Sequence, residues 1–196
     1  MHTSDYFINL VLSAILIVGA YQFYFWCQRN AVRSARYFTF RVDEAIPYRP
    51  QWVWIYSFLY YPAILYLNLL APNPAAFTRM AISFIFLLAI QMLFFVIFPV
   101  ETPNHWREFN QGGTSEQFLR YVRKFDAASN CFPSMHTSVA MLTALFALPA
   151  VGPLAYAFPL LIALSCLFTK QHYLIDLPSG AALGWLAFQF YGLLQS

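Results

Sequence analysis

The sequence predicts an all-α integral membrane protein: a bundle of six transmembrane helices with one short helix lying at the membrane interface. Of the 196 residues, 60% are hydrophobic, 20% are aromatic and only 10% are charged. Soluble domains carry about 25% charged residues, so this composition excludes an ordinary soluble protein. We expect residues 1–196 to form a single domain, with an interfacial loop over residues 100–133.

Six apolar stretches supply the predicted spans. A helix needs about 20 residues to cross the hydrocarbon core of a bilayer. The fourth and fifth stretches are shorter than this, and we expect a tight turn near Pro149–Pro153 to join them. The predicted spans are Phe7–Cys27, Gln51–Leu70, Phe77–Phe98, Met135–Pro149, Pro153–Phe168 and Tyr173–Leu194.

The first span lacks a positively charged start, and aromatic residues and Arg29 follow it, so we expect a retained helix rather than a cleaved signal. The loop from Gln28 to Pro50 carries five arginines. We interpret it as a solvated loop that binds lipid headgroups; the alternative is that one or two of its arginines lean over the site described below. Trp52 and Tyr56, at the start of the second span, are typical of an aromatic belt.

The polar loop before the fourth span contains a predicted helix. Gly112-Gly113 indicates a turn, and Thr114 with Gln117 is typical of a capping box. We expect this helix to lie in the interface, either as an anchor or as a gate for a lipid tail. Its apolar face consists of Phe118, Leu119, Val122 and Phe125.

The last span contains a face of small residues from Ser179 to Gly184, with glycines four positions apart. Such a face allows two helices to approach closely. We expect it to pack against the helix that bears His136. A seam between two copies of the chain is the alternative use.

Two polar clusters flank the apolar hairpin formed by the fourth and fifth spans. Cys131–Ser138 precedes the hairpin, and Thr169–Gly180 follows it. If the hairpin leaves the membrane interface and returns to it, His136 and His172 lie on the same side of the bilayer, although 36 positions separate them.

The clusters contain residues suited to phosphate chemistry. His172 and Asp176 share a face if they are helical, because they are four positions apart. The carboxylate can then keep one imidazole nitrogen protonated and leave the other free as a base or nucleophile. His136 follows Ser134 at a predicted helix start, where free backbone N–H groups attract an anion such as phosphate. Lys170 adds a cation to the same site.

These residues resemble those of the type 2 phosphatidic acid phosphatase superfamily. Its Pro-Ser-x-His motif is matched by Pro133–His136, and its His-x-x-x-Asp motif by His172–Asp176. The residues in and around these motifs are most similar to those of the branch that contains bacterial membrane lipid phosphatases and inositol phosphorylceramide synthases. The resemblance implies that His172 attacks phosphorus, Asp176 orients His172, and His136 protonates the departing alcohol.

The resemblance also implies that Ser134 and Lys170 hold the phosphate oxygens, but the arginines of the family are missing. Its third motif usually opens with Ser-Arg, where this chain has Ser165 and Cys166. The Arg-Pro of its first motif is absent after the third span. Arg107 or Lys170 can replace the lost charge.

No metal site and no cofactor are predicted. The three cysteines are too few and too scattered for a disulfide framework or a zinc site. Catalysis by two histidines and a carboxylate needs no metal ion.

Three functions are consistent with the sequence. The first is a metal-independent lipid phosphate phosphatase that acts on a phosphomonoester or diphosphate through a phosphohistidine. The second is a lipid phosphotransferase that moves a phospho-headgroup to an alcohol acceptor, and the third is a non-catalytic relative that binds lipid. The expected partners are the lipid phosphate and membrane lipids, with no nucleic acid.

Two observations predict opposite sides of the membrane for the site. Ten of the eleven Lys and Arg residues belong to loops on the side of the site, and the positive-inside rule would place that side in the cytoplasm. The resemblance implies the extracytoplasmic face of the cytoplasmic membrane. We adopt the second prediction, because phosphate binding itself requires cations.

Overall fold

The computed structural model describes residues 2–30, 36–38, 40–108, 112–126 and 128–195. Three short 3-10 segments and one isolated bridge between Arg36 and Val100 accompany the α-helices of these residues. The all-α prediction is therefore confirmed for the described part of the chain. In chain order the helices are α1 Thr3–Asn30, α2 Arg41–Ala45, α3 Val53–Phe58, α4 Tyr60–Leu70, α5 Pro74–Ile97, α6 Thr114–Arg123, α7 Met135–Val151, α8 Ala157–Phe168 and α9 Asp176–Leu193.

Within the described residues, four helical stretches are long and apolar enough to cross a membrane: Thr3–Asn30, Pro50–Leu70, Pro74–Ile97 and Met135–Phe168. They indicate a membrane protein. The count of six spans is not confirmed and stays a prediction. The fourth stretch contains both α7 and α8, and the 18 residues of α9 include Asp176, Gln189 and three glycines, which lower its hydropathy.

The second span is interrupted between α3 and α4, at Leu59. Pro62 lies three residues further on, and its nitrogen has no hydrogen to donate to the carbonyl of Phe58. The helical run nevertheless extends over Pro50–Leu70, close to the predicted span.

The predicted turn between the fourth and fifth spans is confirmed. α7 ends at Val151, and Gly152 adopts a φ of +64° as its C-cap, a conformation that glycine adopts without steric cost. A 3-10 segment, Gly152–Tyr156, then leads into α8. The 17 residues of α7 rise by about 26 Å, so this arm of the hairpin is short for a bilayer.

The small-residue face of α9 packs against α7, as predicted. The contact between these two helices is the most extensive in the described chain. A β-carbon at Gly180 would lie 2.4 Å from the carbonyl oxygen of Ser134, and one at Gly184 would lie 2.3 Å from that of Ser138. Only glycine permits this approach, which brings the start of α7 to the start of α9.

The helix predicted in the interfacial loop is α6, but the predicted capping box was wrong. Gly113, with a φ of +86°, is the N-cap, and Thr114 is the first helical residue, so the predicted capping box is absent. Two charged side chains of α6, those of Glu116 and Arg123, are buried. Tyr48 donates a hydrogen bond to the Glu116 carboxylate, which compensates part of its burial.

Candidate active site

The two polar clusters meet at one end of the α7–α8 hairpin. His136 is the second residue of α7, and His172 lies in the turn before α9. The centroids of the two imidazole rings are 6.2 Å apart. The hairpin thus brings together side chains that are 36 positions apart in the chain.

His172 is held by two acceptors on one ring nitrogen. Its Nδ1 lies 2.9 Å from the carbonyl oxygen of Cys131 and 3.2 Å from Oδ2 of Asp176. Because both partners accept, the proton is on Nδ1, and Nε2 of a neutral ring carries the lone pair. His172 and Asp176 do not share a helix, as the spacing would allow: the helix begins at Asp176, and a turn makes the contact between them.

Asp176 connects the two clusters. Its carboxylate is completely buried and accepts a hydrogen bond from the backbone N–H of Tyr173 at 2.9 Å. Its own carbonyl oxygen accepts from the N–H of Ser134 at 3.0 Å. Oδ1 has no hydrogen-bond partner among the described residues, so the carboxylate retains capacity to stabilise a positive charge on His172.

His136 lies against two tyrosine side chains. Its ring centroid is 4.4 Å from that of Tyr56 and 5.0 Å from that of Tyr60. The Tyr56 hydroxyl is 3.5 Å from Nδ1 of His136. Tyr56 was expected to belong to an aromatic belt, but it contacts the site instead. The four-residue spacing of the two tyrosines is the sequence signal that points to one helix face.

The start of α7 is stabilised by Ser134 and by a glutamine from α5. The hydroxyl oxygen of Ser134 accepts from the N–H of Thr137 at 3.3 Å, as an N-cap. Gln91 donates to the carbonyl of Pro133 and accepts from the hydroxyl of Ser138 at 3.1 Å. Sequence reasoning missed Gln91, although a buried amide inside an apolar span is a signal of function.

Lys170 forms a hydrogen bond to the Gln28–Pro50 loop. Its Nζ donates to the carbonyl of Asp43 at 2.6 Å and lies 4.8 Å from the ring centroid of Trp106. Burial lowers the pKa of Lys170 below its usual range, and the carboxylates of Glu44 and Asp43 oppose that shift. Asp43 also accepts from the N–H of Leu174 at 2.7 Å. The predicted loop therefore contributes an aspartate to the site region, which the sequence analysis missed.

Arg107, the other residue predicted to replace the missing motif arginine, is paired with Asp126. One guanidinium nitrogen lies 3.0 Å from the Asp126 carboxylate, and another donates to its carbonyl at 2.7 Å. Of the arginines in the Gln28–Pro50 loop, Arg36 places its guanidinium 4.0 Å from the ring centroid of Phe98. Arg33 lies outside the described residues.

Arg123 of α6 is a buried cation that the sequence analysis did not select. It is 8% exposed and donates to the carbonyl of Thr169 at 2.7 Å and to that of Trp106 at 3.3 Å. Its Nε and Nη1 have no hydrogen-bond partner among the described residues. Burial lowers the pKa of Arg123. Because Thr169 precedes Lys170, Arg123 positions the loop that carries Lys170 and His172.

An apolar cavity of about 480 Å³ reaches His136. Its walls come from six helices, α1, α3, α4, α5, α6 and α7. Leu16 of α1, Ile64 of α4, Phe84 of α5 and Val122 of α6 each line it. A chamber of this composition suits a hydrocarbon chain whose polar end meets His136.

The thiol of Cys166 lies beside the two histidines. One ligand atom from each of His136, Cys166 and His172 lies within 4.8 Å of the other two. The sequence analysis predicted no metal site, because the three cysteines are few and scattered; the fold brings Cys166 to His136 across 30 positions. Metal-free catalysis stays a prediction.

A family model described as the PAP2 superfamily matches residues 46–190, which contain both polar clusters. No curated protein and no solved structure gives a significant match.

Proposed function

Since the chain belongs to the PAP2 superfamily, whose members include phosphatases and related phosphotransferases, we propose that it is a membrane-embedded, metal-independent lipid phosphate phosphatase. The observation that carries the proposal is the pairing of the His172 Nδ1 with the Cys131 carbonyl and the Asp176 carboxylate. This pairing leaves Nε2 free beside His136, at the end of an apolar cavity.

In the first half-reaction, Nε2 of His172 attacks phosphorus and forms an N–P bond. The P–O bond to the lipid alcohol breaks, and protonated His136 gives its proton to the departing oxygen. The phosphorylated ring of His172 is positively charged, and Asp176 stabilises this charge through Nδ1. The arrangement resembles histidine–carboxylate pairs in which the carboxylate fixes the histidine tautomer without taking the proton.

In the second half-reaction, water attacks the phosphohistidine. His136, now neutral, takes the proton from the water, the N–P bond breaks, and inorganic phosphate leaves. Both imidazoles return to their starting forms. Lys170, Ser134 and the N–H groups at the start of α7 are proposed to hold the phosphate oxygens, and Arg107 does so if its pairing with Asp126 opens.

The substrate is proposed to be a lipid because of the surroundings of His136. The cavity walls are mainly apolar, and α1 exposes large apolar side chains, with Phe7 and Ile15 at 68% and 60% exposure. A bilayer would cover these side chains, so that a lipid phosphate reaches the cavity from the membrane. Tyr121 of α6 and Phe125, two residues beyond its end, also line the cavity, which favours a gate over a simple anchor.

We further propose that the site faces the extracytoplasmic side of a cytoplasmic membrane and that six helices span the bilayer. The three native cysteines are buried, so an introduced cysteine reports its own accessibility. Gly112→Cys, on the side of the site, should react with an impermeant maleimide in intact cells. Ala75→Cys, at the opposite end of α5, should react only after lysis, and the reverse pattern would contradict this orientation.

The proposed function is tested by phosphate release from purified protein in detergent with EDTA. The panel consists of phosphatidate, phosphatidylglycerol phosphate, a prenyl diphosphate and a sphingoid phosphate. We expect rapid release from at least one of them, abolished in His172→Ala and retained in His105→Ala. His105 is the matched control because it is exposed and pairs with Glu44. Headgroup transfer to an added alcohol without free phosphate would replace the phosphatase by the phosphotransferase.

A further inference from the structure

His136, Cys166 and His172 form a cluster of three transition-metal ligands. Their ligand atoms lie within 4.8 Å of one another. Cys166 is completely buried, His172 is 7% exposed, and His136 is partly buried. Two imidazoles and a thiolate are the donors that Zn²⁺ and other thiophilic ions prefer over oxygen ligands.

The spacing of the three ligand atoms, all within 4.8 Å of one another, allows them to close around one ion. Zn–N and Zn–S bonds of about 2.1 and 2.3 Å place neighbouring ligand atoms about 3.3–3.6 Å apart. Side-chain movements of about 1 Å would close the cluster to these distances. Because Nδ1 of His172 is bound to the Cys131 carbonyl, Nε2 is the atom left for an ion. Three protein ligands leave the fourth position open for water or a phosphate oxygen.

The sequence explains why this chain can form such a site. Cys166 occupies the position where the resemblance implies a phosphate-binding arginine. A guanidinium there would repel a cation, whereas a thiolate binds one. On binding, the thiol releases its proton to solvent.

We propose that His136, Cys166 and His172 bind a thiophilic divalent cation such as Zn²⁺ and that the bound ion inhibits the enzyme. The inhibition, but not the binding, rests on the proposed function. The lone pair of His172 that would attack phosphorus is donated to the ion instead, and His136 can no longer carry a proton. The site is therefore a means of regulating the phosphatase by metal.

Binding is tested first with Co²⁺ on the purified, metal-free full chain, because cobalt reports its ligands by absorption. We expect a thiolate-to-cobalt charge-transfer band that Zn²⁺ abolishes. The band should be lost in Cys166→Ser and retained in the double variant Cys27→Ser, Cys131→Ser, which removes the other two thiols. A band that persists in Cys166→Ser, or no band in the wild type at saturating cobalt, would overturn the site.

A second variant keeps the test decisive if Cys166→Ser does not fold. His136→Gln retains the thiol and removes one imidazole. Its affinity for cobalt should fall by at least about 10-fold, since even changes in the second shell cost 10–100-fold. Wild-type affinity in this variant would also overturn the site.

Inhibition is measured as phosphate release with added zinc, relative to the zinc-free rate of each variant. Cys166→Ser should need at least about 10-fold more zinc for half inhibition. Equal zinc sensitivity of the two proteins would contradict the proposal. If no substrate releases phosphate, the proposed function fails while the cobalt band remains; if phosphate release is normal and the band is absent, the metal site alone fails.

Discussion

The carbonyl oxygen of Cys131 accepts a hydrogen bond from Nδ1 of His172 at 2.9 Å, across 41 positions of the chain. A backbone carbonyl does not titrate and cannot donate. It therefore favours the tautomer with a free Nε2 even without the carboxylate of Asp176. In the proposed mechanism, Asp176 then mainly stabilises the positive charge that develops on the ring.

Asp176→Asn tests this division of roles. We expect turnover to fall by about 100-fold, which is less than the loss of about 10⁴-fold known where an aspartate alone fixes the histidine tautomer. The measurement is steady-state phosphate release with the best lipid of the panel. A loss equal to that of His172→Ala would show that the Cys131 carbonyl does not hold the tautomer. Cys131→Ser should retain turnover, because the bond uses the backbone and not the thiol.

Gly180→Ala should separate the starts of α7 and α9. The added β-carbon would lie 2.4 Å from the Ser134 carbonyl oxygen, and such overpacking costs about 1–3 kcal/mol. We expect a lower melting temperature in detergent and a loss of turnover, because Ser134 also donates its N–H to the Asp176 carbonyl.

Gly192→Ala is the matched control on the same helix. A β-carbon at Gly192 meets no atom within 4 Å, and alanine is the better helix former by about 1 kcal/mol. Its melting temperature should equal or exceed that of the wild type. Equal effects of the two substitutions would contradict the packing account.

The sequence analysis succeeded where periodicity and motif spacing carry the information. The apolar stretches predicted the helices, and the glycine spacing in α9 predicted its packing on α7. The apolar stretches do not decide the number of spans, because α9 includes Asp176 and Gln189 within a helix of 18 residues. The start of α6 was predicted wrongly: Gly113, rather than Thr114, caps the helix, and its positive φ makes the turn.

Contacts between distant segments could not be predicted from spacing. Asp43 reaches Lys170 across 127 positions, and Gln91 reaches Pro133 across 42. Tyr56 was predicted to belong to an aromatic belt, because it lies near the start of a span. Only the fold shows that it contacts His136. Cys166 was recognised as a departure from the family pattern, but its neighbours became visible only in three dimensions.

Lys170→Met tests which cation replaces the missing arginine. We expect kcat/KM to fall by about 100-fold or more, as for the removal of one donor to a reacting oxyanion. Arg107→Gln should have a smaller effect, because Arg107 already pairs with Asp126 at 3.0 Å. Both are measured with the same lipid in the same detergent. If Arg107→Gln is the more damaging, the phosphate is bound by Arg107.

The pH dependence of turnover should report Lys170. Burial lowers the pKa of Lys170, so the cation is present below this lowered pKa and is lost as the pH rises through it. The alkaline limb of the kcat/KM profile should therefore lie below the usual range of lysine. Lys170→Arg should move that limb upwards, because arginine stays charged to above pH 12. An unmoved limb would assign it to another group.

The phosphohistidine is the central claim, and its direct test is to trap it. The protein is mixed with its lipid substrate in EDTA, quenched within the first turnover, and digested for mass spectrometry under alkaline conditions. The account predicts phosphate on the peptide that contains His172, in the wild type and not in His172→Ala, with His105→Ala labelled normally. Full phosphate release by His172→Ala, or phosphate on another residue, would contradict it.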